Sequence, residues 1–401
     1  MVCWAWAEAT VPGGVVHTRC MAPTPSVVHV LGAGPTGSLA ALALAGRGHR
    51  VVLHDPQSAQ ELQSRSRAYA ITHSSRRLLE RLGLWSTLQS SLAGFATLDL
   101  RDAGSAGRVR FSSQDLAPGN RALGAIGWIL DHRPLMEVLL QQLHHNPHIS
   151  LYLGSPAPSA PPDALVVAAD GPGSPTRQQW RIPVFRHRYR QGCLTAKVAL
   201  RGSDDLTAFE LFRPEGPLAV LPLGQGTAQV VWSAPMHRCE QRAALEGAAF
   251  LDQLATVLPQ GLEPDLLLDT PRAFPQQWQL ARRFSRGRGV LVGEAAHRCH
   301  PVGGQGLNLC WRDVETLMAA ADPGLDARRI ARRYGRQRWL DVVAVGAATD
   351  LLVRLFSNRL PPLCLIRRIT LQVMARIQRL RQISLRAMTD GPMQLLGPLP
   401  E

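Results

Sequence analysis

The segment that most restricts what this chain can fold into is Gly32-Ala-Gly34-Pro35-Thr36-Gly37, set between a short apolar run, Val27–Leu31, and an Ala/Leu-rich stretch at 38–45. The apolar run predicts a buried strand, the Ala/Leu stretch a helix stopped by Gly46 and Gly48, and Val51-Val-Leu53 a second strand closing on Asp55. Strand, glycine turn, helix and a strand ending in a carboxylate form the βαβ unit of dinucleotide sites. There, Gly32 permits the tight turn, Gly34 lets the backbone approach a pyrophosphate, and Gly37 lets helix and strand close. The N–H groups at the positive helix end favour phosphate, and Asp55 can accept from ribose hydroxyls. An ADP-containing dinucleotide is the expected ligand; a structural glycine turn is the alternative.

This fingerprint alone does not separate FAD from NAD, but two later segments do, each following a buried-strand pattern. Asp170-Gly-Pro-Gly-Ser174-Pro-Thr-Arg177 supplies a carboxylate, a turn, a hydroxyl and a guanidinium, or in the plainer reading an Asp-Gly turn. Gly293-Glu294-Ala-Ala-His297-Arg-Cys-His300 continues through Pro301-Val-Gly-Gly304-Gln305-Gly306-Leu307-Asn308. It places a carboxylate where a ribityl chain could hydrogen-bond, then a Pro/Gly loop opening a long helix. N–H groups at that helix start can hold negative charge on the N1–C2=O edge of a reduced flavin.

With 401 residues, the chain exceeds the usual reach of one hydrophobic core. Its texture divides into a tail (1–26), a first Rossmann-like part (27–180), an alternating-strand segment (181–275), a return to α/β texture (276–326) and a helical remainder (327–401). The expected fold is α/β, α+β overall: a Rossmann-like FAD-binding domain, an inserted antiparallel β-sheet substrate domain and a C-terminal helical region. Within the first part, 75–82 reads as a helix and Pro134 as the first residue of another. Met21 offers a second plausible start. Seven scattered cysteines without a CxxC pair favour a reducing, cytoplasmic setting over a disulfide framework. The net charge of +14 suggests nucleic acid, but Lys197 is the only lysine and no basic cluster is interleaved with aromatics, so nucleic acid is not expected. His297 and His300 read as loop-stabilising or substrate-facing, and no metal is expected.

Together, GAGPTG, DGPGSPTR and GEAAHRCHPVGGQGLN resemble the para-hydroxybenzoate hydroxylase-like flavoprotein monooxygenases, and among them the ubiquinone-biosynthesis hydroxylases. Arg67-Ala-Tyr-Ala-Ile, Arg133 before Pro134, the 214–223 segment Pro-Glu-Gly-Pro-Leu-Ala-Val-Leu-Pro-Leu and Trp311-Arg-Asp-Val314 add to the resemblance, which spans about 27–388. It implies FAD as cofactor, Arg67 and Arg133 close to it, and NAD(P)H as a transient co-substrate, matching the lack of a second dinucleotide fingerprint. It also implies that O2 adds to the reduced flavin as a C4a-hydroperoxide, which an electron-rich phenol attacks, so no catalytic side chain is assigned. The sheet domain is expected to roof a prenylated phenol on the way to ubiquinone or plastoquinone, with Leu221, Pro222, His300 and Pro301 as pocket candidates. Glu294 departs from the family's usual Asp, and its extra methylene must displace the carboxylate or the backbone.

The stretch 351–389 holds eight arginines among apolar residues and no Asp or Glu. It reads either as a basic amphipathic surface for the inner face of a membrane or as a domain cap. Rival readings of the whole are a flavin-dependent reductase or halogenase on the same scaffold, and a non-catalytic flavoprotein subunit of a quinone-synthesis complex.

Overall fold

The computed structural model describes residues 27–392 apart from 106, 156–158 and 359. The expected tail (1–26) and the choice between Met1 and Met21 lie outside the described residues.

A six-stranded sheet carries the dinucleotide unit. Its order is Ser285–Arg286, Gly289–Leu291, Leu165–Ala168, Val27–Leu31, Arg50–Asp55, Ile149–Leu153, and only the outermost Ser285–Arg286 runs antiparallel. Val28, Val30, Val167 and Val290 are fully buried, as sheets covered on both faces require. The helix Pro35–Ala45 is buried nearly all round, because it packs on the sheet and against the helices Gln305–Ala320 and His132–His145. The latter begins two residues before Pro134, placing the proline third rather than first. First-turn N–H groups have no intrahelical acceptor, so the ring displaces no bond there. The helix expected over 75–82 runs His73–Arg81.

The alternating segment builds a nine-stranded sheet around the 18-residue strand Val184–Arg201. It is antiparallel as expected except for one ladder: Thr207–Phe212 pairs in parallel with Thr97–Asp102, which pairs in turn with Gly107–Ser112. These two strands come from inside 27–180, so the sheet draws on more than 181–275. Period-two alternation marks Thr97–Asp102 as a strand but does not say which sheet it will join.

The helices Ala327–Phe356, Pro361–Arg376 and Gln378–Asp390 close the far side, sharing a core with Val109, Phe111 and Phe212. Phe212 and Phe356 stack with ring centres 4.0 Å apart. Arg367, one of the arginines expected on a surface, is fully buried. It pairs with Asp102 at 3.1 Å and donates to the carbonyls of Leu355, Phe356 and Asn358 at the end of the preceding helix. Among the described residues no helix is long and apolar enough to cross a membrane.

Candidate active site

Three adjacent parallel strands, Gly289–Leu291, Leu165–Ala168 and Val27–Leu31, each lead straight into one of the three motifs. The motifs therefore meet at the carboxyl edge of one sheet, where open α/β sheets bind ligands. Contact is tight. A Cβ on Gly32, which sits at φ +103°, would lie 2.4 Å from the Ala169 carbonyl oxygen, and one on Gly37 1.8 Å from that of Gly32. A Cβ on Gly293 would touch the Thr36 methyl at 3.0 Å. Arg177, buried, donates to Pro172 O at 3.0 Å and Ala295 O at 2.7 Å, tying the second motif to the third.

Around this junction the polar groups fit a bound dinucleotide. A Cβ on Gly34 would meet nothing within 4 Å, so the turn at the helix start faces open space, as a phosphate cradle must. Asp170 accepts from Thr176 N–H at 3.1 Å through Oδ2, while its buried Oδ1 has no partner among the described residues. Such a buried acceptor calls for a donor. Asp55 has a role that the sequence did not predict: its carboxylate accepts from Ala33 N–H at 2.7 Å and Gln57 N–H at 2.8 Å, fixing the glycine loop. Pro35 sits in the first turn of the helix.

A chamber of about 500 Å³ opens beside the third motif. Glu294, Pro301, Gly304, Gln305, Gly306 and Leu307 line it, as does Arg67. Gly303 and Gly304 both adopt left-handed φ (+70° and +64°), which turns the loop into the helix Gln305–Ala320. Phe95, Leu98, Phe111, Phe209, Leu221 and Phe274 supply much of the apolar wall. Of the four pocket candidates, Leu221 and Pro301 face the chamber; Pro222 and His300 do not. Alternation in Leu218–Gly224 points Ala219 and Leu221 inward and leaves Pro222 on the other face. His300 is fully buried, its Nδ1 accepting from Val302 N–H at 3.2 Å, and burial pushes its pKa down to about 4, so it stays neutral.

Two further residues are placed differently from the expectation. Asn308 spends its amide on the protein. Nδ2 donates to Ala70 O (2.7 Å) and Gly304 O (2.8 Å), while Oδ1 accepts from Thr72 N–H, Thr72 Oγ1 and Ser75 Oγ. It clamps the loop to the strand Ala68–Ile71. Arg133 is three-quarters exposed and pairs with Glu137 at 3.0 Å, away from the chamber wall.

Sequence reasoning also missed a buried charge cluster behind the third motif. Asp313 accepts from Gly293 N–H, His297 Nε2 and Arg338 Nε, each at 2.7 Å. Burial alone would raise its pKa, but His297 and Arg338 outweigh that and hold it below the usual carboxylate range. Charged residues on the inward phase of the apolar helices were the available signal. Glu210, on the strand Thr207–Phe212, is a second missed carboxyl, in the chamber wall.

Comparison with known proteins agrees with this geometry. Residues 25–97 and 164–321 match the FAD binding domain family. The ubiquinone hydroxylase UbiL of Rhodospirillum rubrum is 30% identical over 93% of this chain and 91% of its own. The 3-demethoxyubiquinol 3-hydroxylase of Escherichia coli is 29% identical over 91% and 99%. Among solved structures, the p-nitrophenol 4-monooxygenase of Pseudomonas putida superposes with a TM-score of 0.71 at 19% identity, covering 92% of this chain and 98% of its own. The FAD and uric acid complex of Klebsiella pneumoniae HpxO gives 0.72 at 19%, covering 94% and 98%. The chain is thus a member of the FAD-binding-domain family of flavin-dependent monooxygenases, in the branch of the ubiquinone-biosynthesis hydroxylases, with FAD as its cofactor.

Proposed function

We propose that this protein hydroxylates the aromatic ring of a polyprenyl phenol or related quinone precursor, with NAD(P)H as electron donor and O2 as oxygen source. The observation that carries this reading is the apolar chamber lying directly against the Pro301–Gly306 loop of the third motif. FAD, when bound, supplies O2 activation and oxygen transfer. The protein's part is to hold, orient and dry the site. In this reading Gly32, Gly34, Pro35, Thr36 and Gly37 cradle the phosphates, Asp55 serves the ADP side, and Asp170 Oδ1 takes a donor from the cofactor. N–H groups from Gly304 to Leu307 face the flavin ring, with Gly293, Glu294 and Arg67 beside it. The apolar wall excludes water that would divert the activated oxygen, and Leu221 and Pro301 touch the substrate ring. The segments 27–180 and 276–326 form the cofactor unit, and 181–275, with the strands of 97–112, the substrate roof.

The test is direct. The purified protein should carry a flavin spectrum, and adding 2-farnesylphenol should stimulate NAD(P)H oxidation and O2 uptake with a hydroxylated product. A colourless protein that FAD cannot reconstitute, or prenyl saturation without O2 uptake, would sink the reading.

The finer reading concerns access. Leu365, Ile366, Ile369, Val373 and Ile383 are exposed on the last two helices, with Ile377 exposed at the junction between them, near exposed Arg368, Arg376 and Arg379. Helices facing only water would be polar there. Leu351 and Leu352 line the chamber and are also 63% and 38% exposed, so the chamber wall reaches the surface. We place this face on the cytoplasmic surface of an anionic membrane, from which a lipid-dissolved phenol would enter. The full-length protein should co-sediment with phosphatidylglycerol vesicles, less so as salt rises. Ile366→Glu with Ile369→Glu should weaken binding at least tenfold, since each buried side chain contributes about 1.5–3 kcal/mol. Salt-independent solubility beside vesicles would count against the membrane and leave a protein partner of a quinone-synthesis complex for that face.

A further inference from the structure

We propose that Glu210 is the proton acceptor for the phenol hydroxyl of the substrate. This rests on the aromatic-hydroxylase reading above and names a residue for it.

The strand Thr207–Phe212 reads Thr-Ala-Phe-Glu-Leu-Phe. Its alternation puts Ala208, Glu210 and Phe212 on one face, and the first and last of these join the core shared with the C-terminal helices. An apolar residue is expected at the phase between them. Instead a carboxyl stands there, buried, in the wall of the chamber. Its ladder neighbours are Leu100 and Ala219, neither of which can pair with it. The Gly303 N–H, in the left-handed turn of the loop that abuts the flavin site, is near enough to favour its ionised form. Among the described residues no arginine, lysine or histidine forms an ion pair with it.

A buried carboxyl without a counter-ion weakens a fold, and an apolar residue of similar size would pack this wall better. Burial pushes its pKa up to about 7, with the Gly303 N–H pulling the other way. The other ionisable groups on the chamber wall are Arg67, Tyr69, Glu294, His297 and Arg298, with thiols at Cys193, Cys299 and Cys310 that burial keeps protonated. Glu294 is the other carboxylate on the wall; its side chain is 38% exposed, which suits a solvated charge better than a general base.

Ring hydroxylation needs electron density at the attacking carbon, and a phenolate supplies more than a phenol. A Glu210 oxygen takes the hydroxyl proton as the O–H bond breaks, and the electron pair stays on the phenol oxygen and spreads into the ring. After oxygen transfer the new C–O carbon sheds its hydrogen as a proton, and Glu210 returns its own proton to the phenol oxygen. The shed proton balances the one taken up as the second oxygen atom of O2 goes to water. A base that is half-ionised near neutrality suits this exchange.

The test uses the FAD-loaded enzyme and 2-farnesylphenol, with kcat/KM for hydroxylated product measured from about pH 5 to 9. In the wild type, kcat/KM should rise with pH through a limb near 7 and then level. Glu210→Gln should lose that limb and fall about 100-fold, while its flavin spectrum and melting temperature hold. Glu210→Asp should restore the limb in part. A Glu210→Gln enzyme with the wild-type limb and rate overturns the proposal. If that variant sheds its flavin, the wild-type profile decides, and the absence of a limb near neutrality overturns it. A wild-type enzyme that hydroxylates no phenol removes the hydroxylase reading itself, and Glu210's role with it.

Discussion

Gly37→Ala should leave no protein that folds and retains flavin, although it adds a single methyl group. That methyl would sit 1.8 Å from the Gly32 carbonyl oxygen and 3.2 Å from the Ala169 Cβ. Both neighbours belong to rigid strand ends that are hydrogen-bonded across the sheet, Gly32 N–H to His54 O and Ala169 N–H to Leu31 O. No flexible side chain is present to yield, so the helix Pro35–Ala45 must lift off the sheet, at a cost at or above the roughly 1–3 kcal/mol typical of overpacking. Gly34→Val is the matched control. Its Cβ would enter open space, so the melting temperature of the apoprotein should change little, while FAD retention falls sharply because the side chain occupies the phosphate cradle. Thermal melts and flavin absorbance per protein would read both. A Gly34→Val protein that keeps FAD as well as the wild type would mean the phosphates lie elsewhere.

The second large effect is expected at Arg338. Its guanidinium holds Asp313 through Nε and Asp341 through Nη1, both at 2.7 Å, and all three side chains are buried. Arg338→Met keeps the apolar stem but removes that counter-charge, leaving Asp313 with His297 and the Gly293 N–H. Removing one partner of a buried pair costs about 3–5 kcal/mol. The sign of the pH dependence follows from Asp313. In the wild type its pKa is depressed by the pair, so its contribution is present above the unfolded value of about 3.9 and is lost as pH falls through the folded pKa. In the variant His297 and the Gly293 N–H oppose burial without Arg338, so that pKa moves up from its wild-type position and the charged carboxyl contributes less to folding. The stability deficit should therefore be largest near neutral pH and narrow towards pH 4, where Asp313 takes up a proton. Denaturant melts of both proteins at two pH values would measure it; a deficit that does not change with pH would show that the carboxyl is not what Arg338 serves.

Asp313 also shows where reading along the chain stops. Its motif, Trp311-Arg-Asp-Val, lies in plain view, yet the carboxylate's partners are a glycine N–H 20 residues earlier and an arginine 25 residues later on another helix. The glycine fingerprint was legible because its constraints are local. Its turn, helix start and closing strand are set within one βαβ unit, although the close approach at Gly32 is to Ala169 at the end of the neighbouring strand. Leu221 and Pro222 mark the boundary between the two cases. Alternation placed their strand, but only its seating against Thr207–Phe212 and Thr227–Pro235 decided which of the two faces the chamber. Asn308 reads as a ligand group until its amide is found spent on Ala70, Thr72, Ser75 and Gly304.

By itself, the amino-acid order determined the βαβ unit, the two later cofactor segments, the change to alternating strands and the helical C-terminal part. All of these follow from dihedral preferences and apolar periodicity acting over a few residues. Tertiary structure alone decided that Thr97–Asp102 would cross into the larger sheet, that Arg367 would be interior, and that Glu210 would stand in the wall of an apolar chamber. Such outcomes depend on which surfaces pack together across hundreds of residues, where the summed burial of many side chains outweighs the preference of any single segment.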